Sequence, residues 1–310
     1  ETGKTYRSQS NNTCCIGSIY YAEFIKLLEA DPTEDQVLDF LERVKPKKSF
    51  FDNAFGVMKV LGEPALDHYL LMVYKRYLAA RKYRPDEDWH KYVDVATNPC
   101  HEINGTVGID GYSGGFCNLS TNDLTKCVKY DSFTQSYYFD YVECQELVEL
   151  MVRISLRQTE VTIPMSGWNE TQRKERLLGI DAVNGFQNAI ALLGWKYNDE
   201  NSSKLRKLIR EWANNEADRY SAKLGIERPL LVTCVKPNGN TGAVLGVSSG
   251  IHWDWDEYYM RRVTMNAQDS LAKTLLNQGL MAYPSNNDSS LGTVLQKMYF
   301  NNLDNYFKYG

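Results

Sequence analysis

Residues 229–242 read PLLVTCVKPNGNTG, and this stretch decides the fold class. Its first part, Pro229 to Val235, is a continuous apolar run, which is typical of a parallel strand buried on both faces. The stretch Pro237–Gly242 follows at once, and its glycines predict a loop at the end of that strand. Before the strand, Lys204 to Leu224 keeps one apolar face at helical spacing, and Gly225 is the expected C-cap. A helix that leads into a buried strand favours an α/β architecture.

Helical periodicity dominates the first 95 residues. Thr33 and Gln36 have the spacing of a capping box and predict a helix over Glu34–Val44. The remaining segments with a predicted secondary structure are helices over Leu66–Arg81, Glu143–Leu156 and Asp181–Leu193, and a strand over Arg262–Met265.

Composition excludes several classes of protein. The chain has 310 residues, 43% of them apolar, which is enough to bury a sizeable core. Its net charge of −4 gives no global positive field, so we expect no direct DNA binding. The longest apolar runs are too short to cross a bilayer, so we expect no membrane partner. The seven cysteines show neither a CxxC pair nor a Cys/His zinc spacing, so no metal site is predicted.

The segment Asn98-Pro99-Cys100-His101-Glu102-Ile103 carries the first candidate chemistry. If this segment is extended, the side chains of Asn98, Cys100 and Glu102 face the same side, because strand residues alternate. A second thiol, Cys117, follows a glycine-rich stretch that lets the chain fold back. The alternative is a structural cysteine in a turn, since a free cysteine is usually a small buried hydrophobe.

Two further segments can contribute to a site. The loop Pro237–Gly242 can offer backbone N–H groups to a phosphate, although neither GxxxxGK[ST] nor GxGxxG is present. The alternative is an ordinary turn. The segment Val247–Trp253 reads VSSGIHW and combines serine with histidine. It has no GxSxG motif, so a Ser-His-Asp triad is not supported.

In their order along the chain, these segments resemble the ribonucleotide reductases, and most closely their monomeric adenosylcobalamin-dependent class II. NPCHEI is similar to the finger-loop motif NPCGEI, and FCNLS is similar to the redox-cysteine segment that follows it. KERLLGIDAVNGFQNAIALLGW and LVTCVKPNGNTGAVLGVSSGIHWDWDEYYMRRV also have counterparts. The likeness runs from about residue 8 to residue 284 and is strongest over 97–126 and 229–273. The assignment to the adenosylcobalamin-dependent class rests mainly on the segments SSGIH and YYMRRV.

The resemblance implies reduction of ribonucleotides to 2′-deoxyribonucleotides by a thiyl-radical mechanism. Cys100 would be the thiyl-radical cysteine that removes the substrate 3′-hydrogen. Glu102 would accept the 3′-hydroxyl proton as a general base, and Asn98 would hold the ribose. Cys117 would be one of the two thiols that deliver reducing equivalents and close to a disulfide. The other cysteines of the second half of the chain are expected to be dispensable: Cys127, Cys144 and Cys234.

The resemblance also implies the ligands. The substrate would be a ribonucleoside triphosphate or diphosphate, and adenosylcobalamin would be the cofactor. Ser249 and His252 would contact the cofactor. The substrate phosphates would lie against six loop residues: Pro237, Asn238, Gly239, Asn240, Thr241 and Gly242. Asn240 stands where the family has threonine or serine, with Thr241 as the nearest substitute, and His101 replaces the usual glycine.

The expected fold is the second half of a ten-stranded α/β barrel of the ribonucleotide reductase type, with a helical N-terminal lead-in. We expect a lead-in over 1–95, a half-barrel over 96–273 and a C-terminal extension over 274–310. Half a barrel exposes strand edges, so we expect a complementary chain that carries the first half and the opposing redox cysteine. A thioredoxin-like reductant and a cytoplasmic location are also expected.

The alternative is a catalytically inactive regulatory remnant or a secreted glycoprotein acting as a binding module. It is kept open by six N-x-S/T sequons, which mark glycosylation only in secreted proteins. They begin at Asn11, Asn104, Asn118, Asn169, Asn201 and Asn287. Glycan occupancy would favour this alternative.

Overall fold

The computed structural model describes residues 20–44, 68–98, 102–106, 116–162, 166–252, 258–266, 268–279, 282–284 and 292–300. In these ranges the α-helices are α1 Tyr21–Glu29, α2 Glu34–Arg43, α3 His68–Tyr83, α4 Tyr141–Gln158, α5 Ser166–Glu175, α6 Phe186–Leu192, α7 Glu200–Leu224, α8 Gly239–Leu245 and α9 Ser270–Asn277. The strands are β1 Val95–Thr97, β2 Asn104–Thr106, β3 Cys117–Thr121, β4 Val128–Asp131, β5 Ser136–Phe139, β6 Leu177–Asp181, β7 Tyr258–Asn266, β8 Ala282–Pro284 and β9 Gly292–Phe300. Among the described residues, no helix combines the length and apolar character needed to cross a membrane.

Two parallel strands and one extended segment form the centre of the fold. β3 pairs in parallel with β6 over its whole length, from Cys117 opposite Leu177 to Thr121 opposite Asp181. The segment 230–234 runs along the other edge of β6, where Ile180 and Thr233 form a parallel bridge. The predicted buried strand is thus extended and parallel to β6. It is paired too irregularly to form a continuous ladder.

Each face of this parallel arrangement packs against helices. On one face, Leu178, Ile180 and Val232 join a core built from α4, α6 and α7. On the other face, Leu177 and Leu230 pack with Ala80 of α3 and with Ile103. Burial on both faces explains why the sequence of these segments is apolar without alternation.

The helices begin and end largely where the sequence predicts. The capping box of α2 is confirmed, because Thr33 and Gln36 exchange side-chain and backbone hydrogen bonds. α7 ends at Gly225, which has a left-handed φ of 67°. It begins earlier than predicted, because Asp199 accepts a 2.8 Å hydrogen bond from the Ser202 N–H and caps the helix.

The predicted helix over Asp181–Leu193 is wrong in its first third. Asp181 is the last residue of β6, and the helix starts only at Phe186. The apolar residues before Asp181 form a fully buried strand, and Gly185 with a φ of 74° lets the chain turn into α6. A short buried run cannot be assigned to strand or helix by periodicity alone.

The C-terminal part forms an antiparallel sheet with the order β7-β9-β8. The strand predicted at Arg262–Met265 is confirmed as part of β7. β7 pairs with β9, so residues before and after position 273 belong to the same sheet. The predicted boundaries of the lead-in, the half-barrel and the C-terminal extension stay predictions.

A buried ion pair fixes α3 to the parallel strands. The side chains of Arg76 and Glu175 are both 0% exposed and contact each other. Arg76 also donates through Nε to the Tyr92 carbonyl at 3.0 Å. Glu175 accepts from the Thr106 N–H at 3.2 Å and also from the Thr106 hydroxyl. This pair, called the Arg76–Glu175 pair below, holds together α3, the turn at Tyr92, β2 and the start of β6.

We expect Glu175→Gln to lower the free energy of unfolding by about 3 to 5 kcal/mol, because it leaves the Arg76 guanidinium buried without a counter-charge. Urea unfolding measures this effect. The control is Glu23→Gln, which breaks the exposed 2.7 Å pair with Arg43 and should cost less than about 1 kcal/mol. Equal losses in the two variants would show that the buried pair does not hold the fold together.

Candidate functional site

In the sequence, Cys100 lies between β1 and β2, which pair with each other. β1 and β2 are antiparallel, with Thr97 opposite Asn104. The Asn98 N–H donates to the Ile103 carbonyl at 3.0 Å, and the Ile103 N–H donates to Asn98 Oδ1 at 3.1 Å. The chain therefore reverses between these two residues. Cys100 and its neighbours Pro99 and His101 lie outside the described residues.

The expectation that Asn98, Cys100 and Glu102 face the same side falls partly on Pro99, Cys100 and His101, which lie outside the described residues. That expectation therefore stays a prediction.

Glu102 lies at the base of this turn and faces the parallel strands. Its carboxylate oxygen Oε2 is buried and has no hydrogen-bond partner among the described residues. The charge of this carboxylate raises the pKa of two thiols, Cys117 and Cys234. The hairpin thus places a carboxylate close to both thiols.

Cys117 and Cys234 lie on either side of β6 and face the same gap. Cys117 opens β3, and Cys234 ends the extended segment 230–234. A Cβ atom placed on Gly179 of β6 would lie 3.3 Å from the sulfur of each cysteine and would collide with the Leu119 side chain. Because position 179 is glycine, the Leu119 side chain and both sulfurs can pack against the backbone of β6 at this point.

Burial controls the protonation of both thiols. It raises the pKa of Cys117 to about 12, with smaller contributions from Glu102 and Glu175 in the same direction. Burial also raises the pKa of Cys234, and Asp181 and Cys117 add to the effect. Lys236 lowers the pKa of both thiols. Both are therefore protonated thiols at neutral pH.

Cys234 is poorly placed to form a disulfide with Cys117. Their strands flank β6 on opposite sides, and adjacent strands lie about 4.8 Å apart. Their Cα atoms are therefore separated by at least about 9 Å, whereas a disulfide spans about 4.4 to 6.8 Å between Cα atoms. The two cannot be bridged without moving the backbone.

The carboxyl ends of the parallel strands carry a polar cluster, which we call the strand-end cluster: Thr121, Asp181, Lys236 and Asn238. Lys236 Nζ donates to Thr121 Oγ1 at 2.7 Å. The Asn238 amide donates to Asp181 Oδ2, and the Thr121 hydroxyl donates to Asn238 Oδ1 at 3.4 Å. Ligands of parallel α/β sheets bind at this end of the strands.

Asp181 is the most deeply buried member of this cluster. It is 0% exposed, and its Oδ1 has no hydrogen-bond partner among the described residues. Burial raises the pKa of Asp181 to about 6, against the opposing effects of the Asn238 amide and the Lys236 charge. Asp181 is therefore mostly ionised at neutral pH and titrates in mild acid.

The proposed phosphate loop begins at the strand-end cluster. Asn238 is buried and has a left-handed φ of 46°, which turns the chain into α8. Pro237, Gly239 and Asn240 are exposed, Thr241 is half-buried and Gly242 is buried. Three of the six residues thus face solvent close to Lys236. The prediction of a loop over Pro237–Gly242 is wrong after Asn238, because Gly239–Gly242 form the first turn of α8.

Ser249 packs against this loop. A Cβ atom on Gly242 would lie 3.1 Å from the Ser249 Cα, so a larger residue there would require the segment at Ser249 to shift. The Gly250 N–H donates to Asn184 Oδ1 at 2.9 Å, which ties the segment to the turn after β6. His252 is exposed, and its Nδ1 lies 2.9 Å from the Ser249 carbonyl.

The sequence analysis missed three residues of the site, which are Thr121, Asp181 and Lys236. Each lies at or directly after the end of a parallel strand. These residues could have been predicted, because a polar residue at the end of an apolar run indicates the carboxyl end of a buried strand. Asp181 was overlooked because it was assigned to a helix.

Parallel strands with half-buried thiols on one face and polar residues at their carboxyl ends define an α/β domain. The comparisons show which family it is similar to. Residues 89–231 match the family model described as ribonucleotide reductase, barrel domain. The resemblance drawn from the motifs is thereby confirmed for residues 89–231, whose sequence is similar to the barrel domain of ribonucleotide reductases.

The most similar relatives agree with this family. A protein of Mycobacterium phage D29, named as an adenosylcobalamin-dependent ribonucleoside-triphosphate reductase, is 28% identical over 180 residues. The match covers 57% of this chain and 24% of that protein. The adenosylcobalamin-dependent ribonucleoside-triphosphate reductase of Lactobacillus acidophilus is 26% identical over 148 residues, which are 44% of this chain and 19% of that protein. The match therefore spans a quarter or less of each relative.

A solved structure supports the fold. The crystal structure of a B12-dependent class II ribonucleotide reductase matches with a TM-score of 0.51 and 22% identity. The match covers 66% of this chain and 29% of that structure. At this identity the likeness establishes the α/β fold and no more.

We expect the stability of the chain to depend on pH through Asp181. The folded-state pKa of about 6 lies above the unfolded value of about 3.9. Between pH 4 and pH 6 the folded state therefore binds more protons, so the free energy of unfolding falls as pH rises. Between pH 4 and pH 6, the free energy of unfolding of the wild type should fall by about 1 to 3 kcal/mol more than that of Asp181→Asn. Urea unfolding measures both values. A difference that is constant or grows with pH would contradict the assignment.

Proposed function

We propose that the chain provides catalytic residues of an adenosylcobalamin-dependent ribonucleotide reductase, which converts ribonucleotides to 2′-deoxyribonucleotides. One observation carries the proposal. The half-buried Glu102, two residues after Cys100, is near enough to Cys117 for its charge to raise the pKa of that thiol, and all three residues lie within a family match to the ribonucleotide reductase barrel. A radical cysteine, a base and a reducing thiol are the groups that this reaction needs.

Residues between β1 and β2 remove a hydrogen atom and a proton from the ribose. Cys100, as a thiyl radical, removes the 3′-hydrogen of the ribose. Glu102 accepts the proton of the 3′-hydroxyl, and its unpartnered Oε2 is the acceptor that this role requires. Asn98 fixes the turn through its bond from Ile103 and holds the ribose.

Cys117 supplies one of the two thiols that reduce the substrate. Two thiols give up two electrons and two protons and form a disulfide, while the 2′-hydroxyl leaves the ribose as water and C2′ gains a hydrogen. Cys234 cannot serve as the second thiol, since β6 separates it from Cys117. The second thiol therefore comes from another part of the barrel, and a thioredoxin-like protein reduces the disulfide afterwards.

The edge of β3 that is unpaired among the described residues supports the proposal of a complementary segment. Among the described residues β3 pairs only with β6, and Leu119 on β3 is 42% exposed. An unpaired edge is a template for further strands. We propose that this chain supplies the second half of a ten-stranded barrel, and that the first half adds at this edge and brings the second thiol.

The residues around Ser249 can hold an adenosyl group. Three buried polar atoms at and beside this segment have no hydrogen-bond partner among the described residues, and they are Asn184 Nδ2, Gln187 Oε1 and Ser248 Oγ. A ligand with hydroxyl and ring-nitrogen atoms can satisfy them. Adenosylcobalamin, when bound, supplies the radical chemistry. Ser249 and His252 contact the cofactor, and Pro237–Gly242 with Lys236 faces the substrate phosphates.

The alternative of a glycoprotein is weakened at one sequon. The amide nitrogen of Asn118, which would carry a glycan, is buried on β3, and a bulky glycan needs an exposed attachment point. The sequon at Asn201 is exposed and is compatible with a glycan. Against an inactive remnant, the buried Glu102 Oε2 has no hydrogen-bond partner among the described residues, which suits a catalytic proton acceptor. We therefore favour the catalytic function, carried out in the cytoplasm.

We expect Cys117→Ser to stop multiple turnover, because no disulfide can form without this sulfur. The variant is assembled with the complementary half, and deoxyribonucleotide is counted per enzyme with a dithiol present. The control is Cys127→Ser, which changes a fully buried core thiol and should leave turnover intact. The proposal fails if Cys127→Ser stops turnover and Cys117→Ser does not.

The same assay tests the complementary half. The chain alone, given adenosylcobalamin, ribonucleotide and dithiol, should form no deoxyribonucleotide, because a half-open site misplaces the reacting groups and admits water to a radical. Addition of the missing half should restore turnover. Robust turnover by the pure chain would contradict this part of the proposal.

A further inference from the structure

We propose that Cys127 and Cys144 form a site of reversible oxidation, at which a peroxide converts two thiols of the core to a disulfide. Both cysteines are free thiols in the structure. Both are fully buried, and both belong to the core that α4, α6 and α7 build on one face of the parallel strands. Neither is part of the proposed catalytic site, so this inference does not depend on the proposed function.

The backbone brings the two cysteines to the same residue, Asp140. Cys127 ends a short 3₁₀ turn, and its carbonyl accepts the Asp140 N–H at 2.8 Å, next to the first pair of the β4–β5 hairpin. Asp140 is the N-cap of α4, and its carbonyl accepts the Cys144 N–H at 3.1 Å. Each cysteine is therefore one backbone hydrogen bond away from Asp140, and the two lie on neighbouring segments of the chain.

The two thiols also contact each other. The Cys144 thiol donates a hydrogen bond to the Cys127 sulfur, and this bond lowers the pKa of Cys127 against the opposing effect of burial. The same bond raises the pKa of Cys144. The thiolate, and not the thiol, is the nucleophile in cysteine oxidation. Cys127 is therefore the thiol that reacts first, and Cys144 is the thiol that completes the disulfide.

The other two thiols of the described residues lack this arrangement. β6 lies between Cys117 and Cys234, so a disulfide cannot join them unless the backbone moves. Burial raises the pKa of both thiols, so neither ionises readily. The chain thus contains one pair of thiols that is placed to form a disulfide and a second pair that serves as an internal control.

The reaction balances with a peroxide as the oxidant. The Cys127 sulfur attacks one peroxide oxygen, the O–O bond breaks, and a sulfenic acid and one water are formed. The Cys144 sulfur then attacks the sulfenic sulfur, the S–O bond breaks, and a second water leaves. The two thiols lose two electrons and two protons, and the peroxide is reduced. A dithiol restores both thiols by thiol–disulfide exchange.

The disulfide would fasten the 3₁₀ turn before β4 to the first turn of α4. The same 3₁₀ turn supports the segment at Ser249, because the Leu124 N–H donates to the Asn184 carbonyl at 3.0 Å and Asn184 Oδ1 accepts the Gly250 N–H at 2.9 Å. A cross-link also restricts the unfolded chain. Oxidation should therefore raise the urea concentration at which the chain unfolds.

The test is oxidation of the folded 310-residue chain by hydrogen peroxide, followed by alkylation of free thiols, proteolysis without reductant and mass spectrometry. We expect a pair of peptides joined through Cys127 and Cys144, which dithiothreitol separates, and no pair joined through Cys117 and Cys234. The urea midpoint should rise on oxidation of the wild type and should not rise on oxidation of Cys127→Ser.

Two matched variants test the order of the reaction. Dimedone traps sulfenic acids. In Cys144→Ser it should label Cys127, because the sulfenic acid has no second thiol to react with. In Cys127→Ser it should leave Cys144 unlabelled, because the thiol that reacts first is absent.

Several outcomes would overturn the proposal. Free thiols at both positions after oxidation of the folded chain would do so, and so would a Cys127–Cys144 link that forms only in urea. A Cys117–Cys234 link of equal yield would show that the chain opens before it reacts. A lower urea midpoint after oxidation would show that the disulfide does not fit the folded structure. These measurements use neither nucleotide nor cofactor, so a failure of the proposed function leaves them unchanged.

Discussion

The buried Arg76–Glu175 pair is the interaction on which the geometry of the site depends. Through Thr106 it fixes the hairpin that bears Cys100 and Glu102. Glu175 is the last residue of α5, which leads into β6. Its carboxylate therefore also holds the hairpin against β6, the strand that contains Gly179. A buried charge pair is costly to break, so the hairpin has little freedom to move away from Cys117. Glu102, which we propose as the general base, is thus held in place through Thr106 by a buried ion pair outside the proposed site.

A second constraint comes from the small residues between the strands and loops. Gly179 lets the sulfurs of Cys117 and Cys234 pack against the backbone of β6, and Gly242 lets the segment at Ser249 approach the phosphate loop. Neither glycine takes part in chemistry. Both decide how closely the reacting groups can lie. The parallel pairing of β3 with β6 then gathers the thiols on one face and the strand-end cluster at one edge.

Much of this fold was predictable from sequence, because strong local signals agree with the final structure. The capping box at Thr33 and the C-cap at Gly225 are local devices, and both are confirmed. Asp181 was misassigned because a buried strand and the start of a helix have the same apolar pattern. The Arg76–Glu175 pair could not be foreseen, since it joins residues 99 positions apart. The radical role of Cys100 came from the resemblance, and the phosphate loop came from both its glycines and the resemblance; both stay predictions.

The central claim is that the hairpin tip carries the radical cysteine, and one measurement tests it most directly. The chain with Cys100→Ser, assembled with the complementary half, is given labelled ribonucleotide and adenosylcobalamin, and the deoxyribonucleotide formed in a single turnover is counted. The substitution is nearly isosteric, so folding and nucleotide binding should persist, and Cys144→Ser in the buried core serves as the matched control. The account predicts no deoxyribonucleotide from Cys100→Ser and normal product from the control. Deoxyribonucleotide formed by Cys100→Ser would contradict it.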